Sequence, residues 1–380
     1  VLGTASIILI TQFKGIKDEK NVNKIYCLSF YFNLIVGIII SFILVFGAKT
    51  IFNLMGVEER YIDKAVIYMQ INGCFSFVIA LTTVFSSFLR SNKLMIQSTI
   101  VTGIMNIMNV GGNALALFVF NSGIQGVAIS SVISRIVGLI VIVIMYIHYI
   151  HSSLSIKNIF PFPGKLFATL LKIGLPSAGE NLSYNLSQLV IIMILNYHFI
   201  LSQSIDVNIR GYIANFTSIV YMFSNAIAQS AQVIIGPKIA KNEIDDTFHI
   251  VKDTVKMSGI ITVLCSLIFI AISYPLLNSL LNIKDPELKS QAMNIVLIVC
   301  AIDILLEFGR SGNIPYVRCL QTVGDIYTPV FFAIICCWSA AVLGSYILSA
   351  FCNLGVIGVW ISCALDENIR NIIFTFRWNS

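Results

Sequence analysis

Asp303, Glu307 and Arg310 fall at i, i+4 and i+7 within IDILLEFGRSGNIPYVR (residues 302–318), a stretch otherwise apolar enough to cross a bilayer. On a helix this spacing puts two carboxylates and a guanidinium on one face in successive turns. A charge at the centre of a spanning helix costs roughly 2.5–3.5 kcal/mol on insertion scales, so three on one face need partners or a task. Two nearby carboxylates in a low dielectric do not both stay ionised cheaply; one takes a proton, or the two hold a cation between them. The chemistry indicated is a proton or sodium ion site. Pairing with Arg310 would account for Glu307 but leaves Asp303 uncompensated.

Other polar groups recur at helical spacing. In GLPSAGENLSYNLSQ (174–188), Glu180 is followed by Tyr184 and Gln188 at i+4 and i+8, with Asn181 and Asn185 alongside. The next apolar run carries Asn215, Ser218, Tyr221, Asn225, Gln229 and Gln232. A stripe of amides facing lipid is unfavourable, so these faces look into a bundle or a water-filled cavity, or bond between helices. The first half has its own stripe, Thr102, Asn106, Asn109 and Asn113, and Arg135 as its one deep charge. Glu180, Asp303 and Glu307 are therefore the candidate cation-coupling residues. Tyr184, Asn185, Gln188, Asn215, Ser218, Tyr221, Asn225, Gln229, Asn106, Asn109, Asn113 and Arg310 are the candidate cleft lining. Asp366, Glu367 and Arg370 are read as structural pairs, Glu367 with Arg370 at i+3 or with Arg135. In the second half the deep acids Glu180, Asp303, Glu307, Asp366 and Glu367 outnumber the deep bases Arg310 and Arg370, which favours a cation.

These residues sit in a chain that is 57% hydrophobic and 11% charged, outside the range of soluble domains. Its mean hydropathy is +0.88. The reading is an all-α polytopic membrane protein. The net charge of +6 is scattered over short loops without a basic stripe, which excludes nucleic acid as a partner. Nine cysteines lie mostly in apolar runs without metal-ligand spacing, and His148-x-x-His151 has no acidic or cysteine neighbour, so no metal centre or cofactor is expected. Walker, G-x-S-x-G and H-E-x-x-H motifs are absent, which argues against an enzyme.

After a half-segment (1–13), ten apolar runs are long enough to span: 25–55, 62–89, 95–120, 126–150, 166–196, 210–235, 257–281, 291–317, 326–352 and 355–376. One alternating set of loops holds sixteen Lys and Arg and the other six, Arg210 among the six. By the positive-inside rule the C-terminus is cytoplasmic and the protein sits in a cytoplasmic membrane.

The two halves resemble each other. SFLRSNKL and NSGIQGVAISSVISRIVGLIV of the first half pair with PYVRCLQTVGDIYTP and CNLGVIGVWISCALDENIRNIIF of the second, Arg90 with Arg318 at an offset of 228 and Gly123 with Gly355 at 232. LMGVEERY pairs with LLNIKDPE, and ILITQFKGIKDE with VIIGPKIAKNEI. Matching loops fall on one side of the membrane, so these are two parallel six-helix repeats. The expected organisation is an N-terminal lobe over 1–150, a cytoplasmic linker over 151–165 with two prolines and an interfacial segment, and a C-terminal lobe over 166–380. The first residue is Val, and the repeat places the start of the first unit before it, so a twelve-helix parent lacking its first one and a half helices is expected.

At GLPSAGENLSYN, at Arg318…Gly324-Asp325…Pro329 and at GVIGVWISCALDENIR…FRW, the sequence resembles the multidrug and toxic compound extrusion family of secondary transporters. The resemblance implies two six-helix lobes around a central cleft. It implies export of small organic compounds, cationic or amphipathic, in exchange for sodium ions or protons, by alternating access in a monomer. In sodium-coupled members acids on the seventh and tenth helices hold the ion; Glu307, about three turns before Arg318, matches the second of these and Glu180 the first. Arg310 departs from a purely anionic pocket and points toward a zwitterionic or anionic substrate. Of the rival readings, a flippase for a lipid-linked precursor would need a more cationic cleft, and a membrane-embedded enzyme would need a nucleophile or metal constellation.

Overall fold

The computed structural model describes residues 2–54, 59–152, 154–281 and 283–380. The paired loops LMGVEERY and LLNIKDPE fall partly outside them. Among the described residues all regular structure is helical. The chain divides into two compact units, Val1–Gly174 and Leu175–Ser380.

The first unit contains α1 (Gly3–Gly15), α2 (Glu19–Leu54), α3 (Glu59–Cys74), α4 (Ser76–Ser91), α5 (Met95–Ala114), a π-helical turn (Leu115–Val119) and α6 (Gly123–Ile150). Where the sequence predicts one run over 62–89, α3 and α4 meet at a bend of 44°. Gly73 sits beside that bend, its backbone so close to α2 that a Cβ would stand 2.7 Å from Leu44 Cβ. Edge-to-face rings hold the interior, Tyr26 with Phe88 at 4.7 Å and Phe85 with Tyr146 at 5.1 Å between centroids. The segment expected to be a linker is held to α2: Tyr31 Oη donates to Leu154 O at 3.1 Å, and Ser152 Oγ to Asn23 Oδ1 at 2.7 Å.

Next come α7 (Gly164–Tyr197), within which the division between units falls, then α8 (Gln203–Ala240), α9 (Ile244–Leu280) and α10 (Pro286–Val323). The last elements are α11 (Tyr327–Cys336), a π-helical stretch (Cys337–Leu343), α12 (Gly344–Ala350) and α13 (Gly355–Asn379). In the second unit α10 is the central element, with buried side chains along it from Ala292 to Thr322. Buried Asp206 sets the entry to α8 by accepting the backbone N–H of Ile200 at 2.8 Å and of Leu201 at 3.2 Å.

Among the described residues seven helices are long and apolar enough to cross a membrane, or eight if the bent α3–α4 pair is one span. The predicted runs 166–196 and 355–376 do form long helices, α7 and α13, but are not among the seven. Glu180, Gln188 and several Asn lower the hydropathy of α7, as Asp366, Glu367 and Arg370 do that of α13. Phe46, Ile107 and Phe118 are more than three-quarters exposed, as expected of side chains whose solvent is lipid.

The repeat is visible in the helix ends. After α4, Leu94 N–H donates to Leu89 O at 3.0 Å with Lys93 at φ 63°; after α10, Asp325 N–H donates to Leu320 O at 3.0 Å with Gly324 at φ 102°. Before α6, Ser122 N–H reaches back to Ala116 O at 2.9 Å, and before α13, Leu354 N–H to Leu348 O at 3.1 Å. Asn121 and Gly123 flank the first turn and Asn353 and Gly355 the second, all four with positive φ. These are left-handed C-caps that satisfy otherwise orphaned carbonyls, and they recur at matching positions of the two halves.

Candidate functional site

The charged residues of the second unit converge on a seam between α10 and α13. Gly309 makes the seam: a Cβ there would stand 2.8 Å from the backbone of Glu367 and Asn368. One turn on, a Cβ on Gly312 would collide with the Asn371 side chain. Small residues at a membrane helix interface permit this approach of backbones.

Within α10, Arg310 Nη1 donates to Glu307 Oε1 at 2.7 Å, and across the seam Arg310 Nε donates to Glu367 Oε1 at 3.0 Å. Arg310 Nη2 donates to Tyr184 Oη at 3.2 Å, and the guanidinium carbon lies 5.7 Å from the centroid of the Tyr221 ring. Glu367 also receives Asn313 Nδ2 at 2.6 Å and Arg370 Nη2 at 3.0 Å, and Arg370 Nη2 is 2.5 Å from Asp366. Three carboxylates and two guanidiniums thus form one buried network. Such a network holds only while its members pair, since each unpaired ion in a low dielectric costs several kcal/mol.

Asp303 is buried outside the network. Its Oδ1 accepts Thr217 Oγ1 at 2.9 Å and Trp360 Nε1 at 3.1 Å, while its Oδ2 has no hydrogen-bond partner. Glu307 is equally buried and its Oε2 is likewise without a partner. These two orphaned carboxylate oxygens belong to residues one turn apart on α10; a third, Asp366 Oδ1, is on α13. Oxygens in this condition can take up a proton or coordinate a cation.

A cavity of about 380 Å³ opens beside this seam, walled by α7, α8, α10 and α13. Tyr184, Asn185, Gln188, Ser218, Tyr221 and Arg310, all singled out from the sequence, line it. Thr217, Trp360 and Arg210 also line it. Glu180 lies instead in an adjoining cavity of about 110 Å³ with Arg310, Arg318, Glu367 and Arg370. The structure therefore places Glu180 in one cavity with the arginines, while Glu307 pairs with Arg310 within α10 and Asp303 lies one turn further back along that helix.

The other sequence-selected residues fall elsewhere. Asn225 accepts from Gln229 within α8 at 3.4 Å, Asn215 is exposed, and Gln232 donates to Arg318 O at 3.1 Å. In the first unit Asn109 donates to Ser131 at 3.0 Å, Asn113 donates to Asn109 at 3.2 Å, and Asn106 is exposed. Arg135 donates to Asn72 at 3.1 Å, so of the two partners considered for Glu367 it is Arg370 that takes the place. Arg210, counted from the sequence as a loop charge, lies inside α8 and donates to Gln188 Oε1 at 2.9 Å. Sequence reasoning also missed Thr217, Trp360 and Asn313. Trp360 stood in the GVIGVWISC motif, but nothing local marked its indole as a donor to Asp303.

The family model described as MatE matches residues 1–115 and 176–347. The chain is 30% identical over 383 residues to the uncharacterized transporter YisQ of Bacillus subtilis, an alignment spanning 100% of this chain and 82% of that protein. It is 20% identical to the probable multidrug resistance protein NorM of Thermotoga maritima, over 96% of this chain and 77% of that one. In fold it is similar to a MOP superfamily transporter from Pyrococcus furiosus, with TM-score 0.87, 17% identity and coverage of 100% of this chain and 82% of that chain.

Proposed function

Because this chain belongs to the MatE family of membrane transporters, we propose that it exports small organic molecules across a cytoplasmic membrane in exchange for sodium ions or protons. The observation that carries this reading is the pair of buried, unpartnered oxygens, Asp303 Oδ2 and Glu307 Oε2, one turn apart on a helix that also reaches the cavity wall through Arg310. A cation arriving there neutralises Glu307 and weakens its hold on Arg310. Arg310 also bonds Tyr184 and stands over Tyr221, so its release changes the cavity lining. Ion and substrate thereby favour different arrangements of the same residues, which is what exchange requires. Glu180, which shares the smaller cavity with Arg310 and Arg370, is a third carboxylate on the ion's route.

In this reading the two lobes, 1–150 and 166–380 joined through 151–165, alternate access to the two sides of the membrane in a monomer with its C-terminus in the cytoplasm. With Arg370 and Arg210 set aside as residues inside the bundle, the bias of basic residues is fifteen to five and supports that orientation.

The test uses the protein in proteoliposomes loaded separately with ethidium and with carboxyfluorescein. Dye movement after a sodium jump is compared with that after a pH jump, for wild type and Glu307→Gln. One gradient drives wild-type transport, naming the ion, and the substitution abolishes it. Immobility of both dyes under both gradients sinks the exchange reading. Normal transport by Glu307→Gln reduces Glu307 to a structural partner of Arg310.

A further inference from the structure

The charge of the large cavity is opposite to that of its surroundings. Two guanidiniums, Arg210 and Arg310, reach its wall, and among the described residues no carboxylate does. Arg310 already has Glu307 and Glu367 as counterions. Arg210 has none: among the described residues its one hydrogen-bond partner is the neutral Gln188 oxygen, and it enters no ion pair. A half-buried guanidinium inside a spanning helix, with most of its donors directed to no protein acceptor, is costly unless the cavity supplies an anion.

The two guanidiniums are held by one face of α7. Gln188 holds Arg210 and Tyr184 holds Arg310, and these two anchors are four residues apart on α7, about 6 Å along the axis. Between and beside them the wall offers aromatic faces, Tyr184, Tyr221 and Trp360, and the hydroxyls of Thr217 and Ser218. Arg210 is anchored in turn, because buried Asp206 one turn earlier fixes the start of α8. A paired cationic feature with aromatic walls suits a flat organic molecule bearing a carboxylate or comparable oxyanion, which a guanidinium fork engages through two parallel hydrogen bonds.

We propose that the second-unit cavity is a binding site for a soluble organic anion, with Arg210 as the residue that selects its charge. This deepens the transport reading, since it rests on that cavity being where substrate binds. It departs from the cationic or amphipathic substrate that the family resemblance implies.

The experiment is a binding titration without any gradient, so that failure of ion coupling in liposomes leaves it interpretable. Fluorescence anisotropy of carboxyfluorescein is followed as the purified chain in neutral detergent is added, with ethidium titrated in parallel. Carboxyfluorescein binds wild type; Arg210→Gln weakens it about tenfold or more, and Arg210→Lys, which keeps the charge but loses the fork, weakens it less. Gln188→Glu places a carboxylate beside Arg210, keeps the side-chain volume and also abolishes carboxyfluorescein binding, which covers the case in which Arg210→Gln fails to fold. Ethidium binding is unchanged or strengthened in Gln188→Glu. Equal carboxyfluorescein affinity in wild type and Gln188→Glu overturns the proposal, as does parallel loss of both dyes. Short-chain phosphatidylglycerol is the competitor that separates a soluble anion from a lipid headgroup, and displacement of the dye by it at micromolar concentration also overturns the proposal.

Discussion

Arg310 Nε lies 3.0 Å from Glu367 Oε1, joining helices α10 and α13 through a buried carboxylate and a guanidinium that also reaches the cavity wall. The same Glu367 oxygen is 3.0 Å from Arg370. One carboxylate thus serves two guanidiniums. Removing it as Glu367→Ala leaves Arg310 only Glu307 and Arg370 only Asp366 as counterions, and the expected loss of stability is about 3 kcal/mol, the low end for breaking a buried pair. Thermal unfolding in detergent should show a lowered midpoint, and a midpoint equal to wild type would show that the pairs are not holding the seam.

Asp303→Asn should behave differently. Thr217 and Trp360 both donate to Oδ1, and an amide oxygen accepts those bonds equally well. The fold is therefore retained while the charge that attracts the ion is lost. The check is a midpoint close to wild type together with loss of sodium- or proton-driven dye movement; retained coupling would remove Asp303 from the ion site.

Trp360→Phe keeps the ring packing and deletes one of the two donors to Asp303. The expected cost is about 1–3 kcal/mol, the penalty for a buried acceptor left short of a partner. In wild type, ion binding at Asp303 should change Trp360 emission, a signal that Trp360→Phe abolishes. An unaltered ion-dependent signal in that variant would assign the emission change to Trp338 or Trp378.

Gly309 and Gly312 give a graded pair. Gly309→Ala meets main chain, which cannot step aside, whereas Gly312→Ala meets the end of the Asn371 side chain. The first should lower the unfolding midpoint more than the second. Gly103→Ala and Gly179→Ala, inside helices with open space around them, should raise it, through a gain in stability of up to about 1 kcal/mol each.

At the cytoplasm-facing end expected for α10, partial burial alone would raise the Asp325 carboxyl. Hydrogen bonds from Thr328 and the Arg377 guanidinium 2.7 Å away outweigh it and hold the group below the usual carboxylate range. A depressed native value means the pair stabilises above the unfolded value of about 3.9 and ceases to do so as pH falls through the native one. Asp325→Asn should therefore be less stable than wild type at neutral pH, and the gap in midpoint should close as the solution is acidified below pH 4. A gap independent of pH would assign the effect to the Thr328 hydrogen bonds alone.

How much of this was legible in the sequence depended on distance along the chain. The Glu307–Arg310 and Glu367–Arg370 pairs could be read because both lie at i+3 on one helix, and local spacing encodes that contact. The Arg310–Glu367 bond could not, because it exists only where Gly309 lets two helices touch, and a lone glycine in an apolar run announces no partner. The helical class and the repeat were visible in hydropathy and offsets, and the matched left-handed caps at Asn121–Gly123 and Asn353–Gly355 follow from residues present in both copies. Arg210 was grouped with a loop because the apolar run was taken to begin there. In fact α8 starts earlier, at Gln203, which carries Arg210 into the helix.

The seam at Gly309 has a mechanical consequence. Main chain rests on main chain there, and the Arg310–Glu367 ion pair fastens the same place, so α10 and α13 are held against each other with no layer of side chains between them. Pro315, inside α10 and on the C-terminal side of the fastening, withholds one backbone donor from the helical ladder. The donor it withholds would have reached the Ser311 carbonyl, so α10 has its weakest rung inside the stretch that carries Arg310 and Asn313, where the contacts to Glu367 on α13 hold it instead.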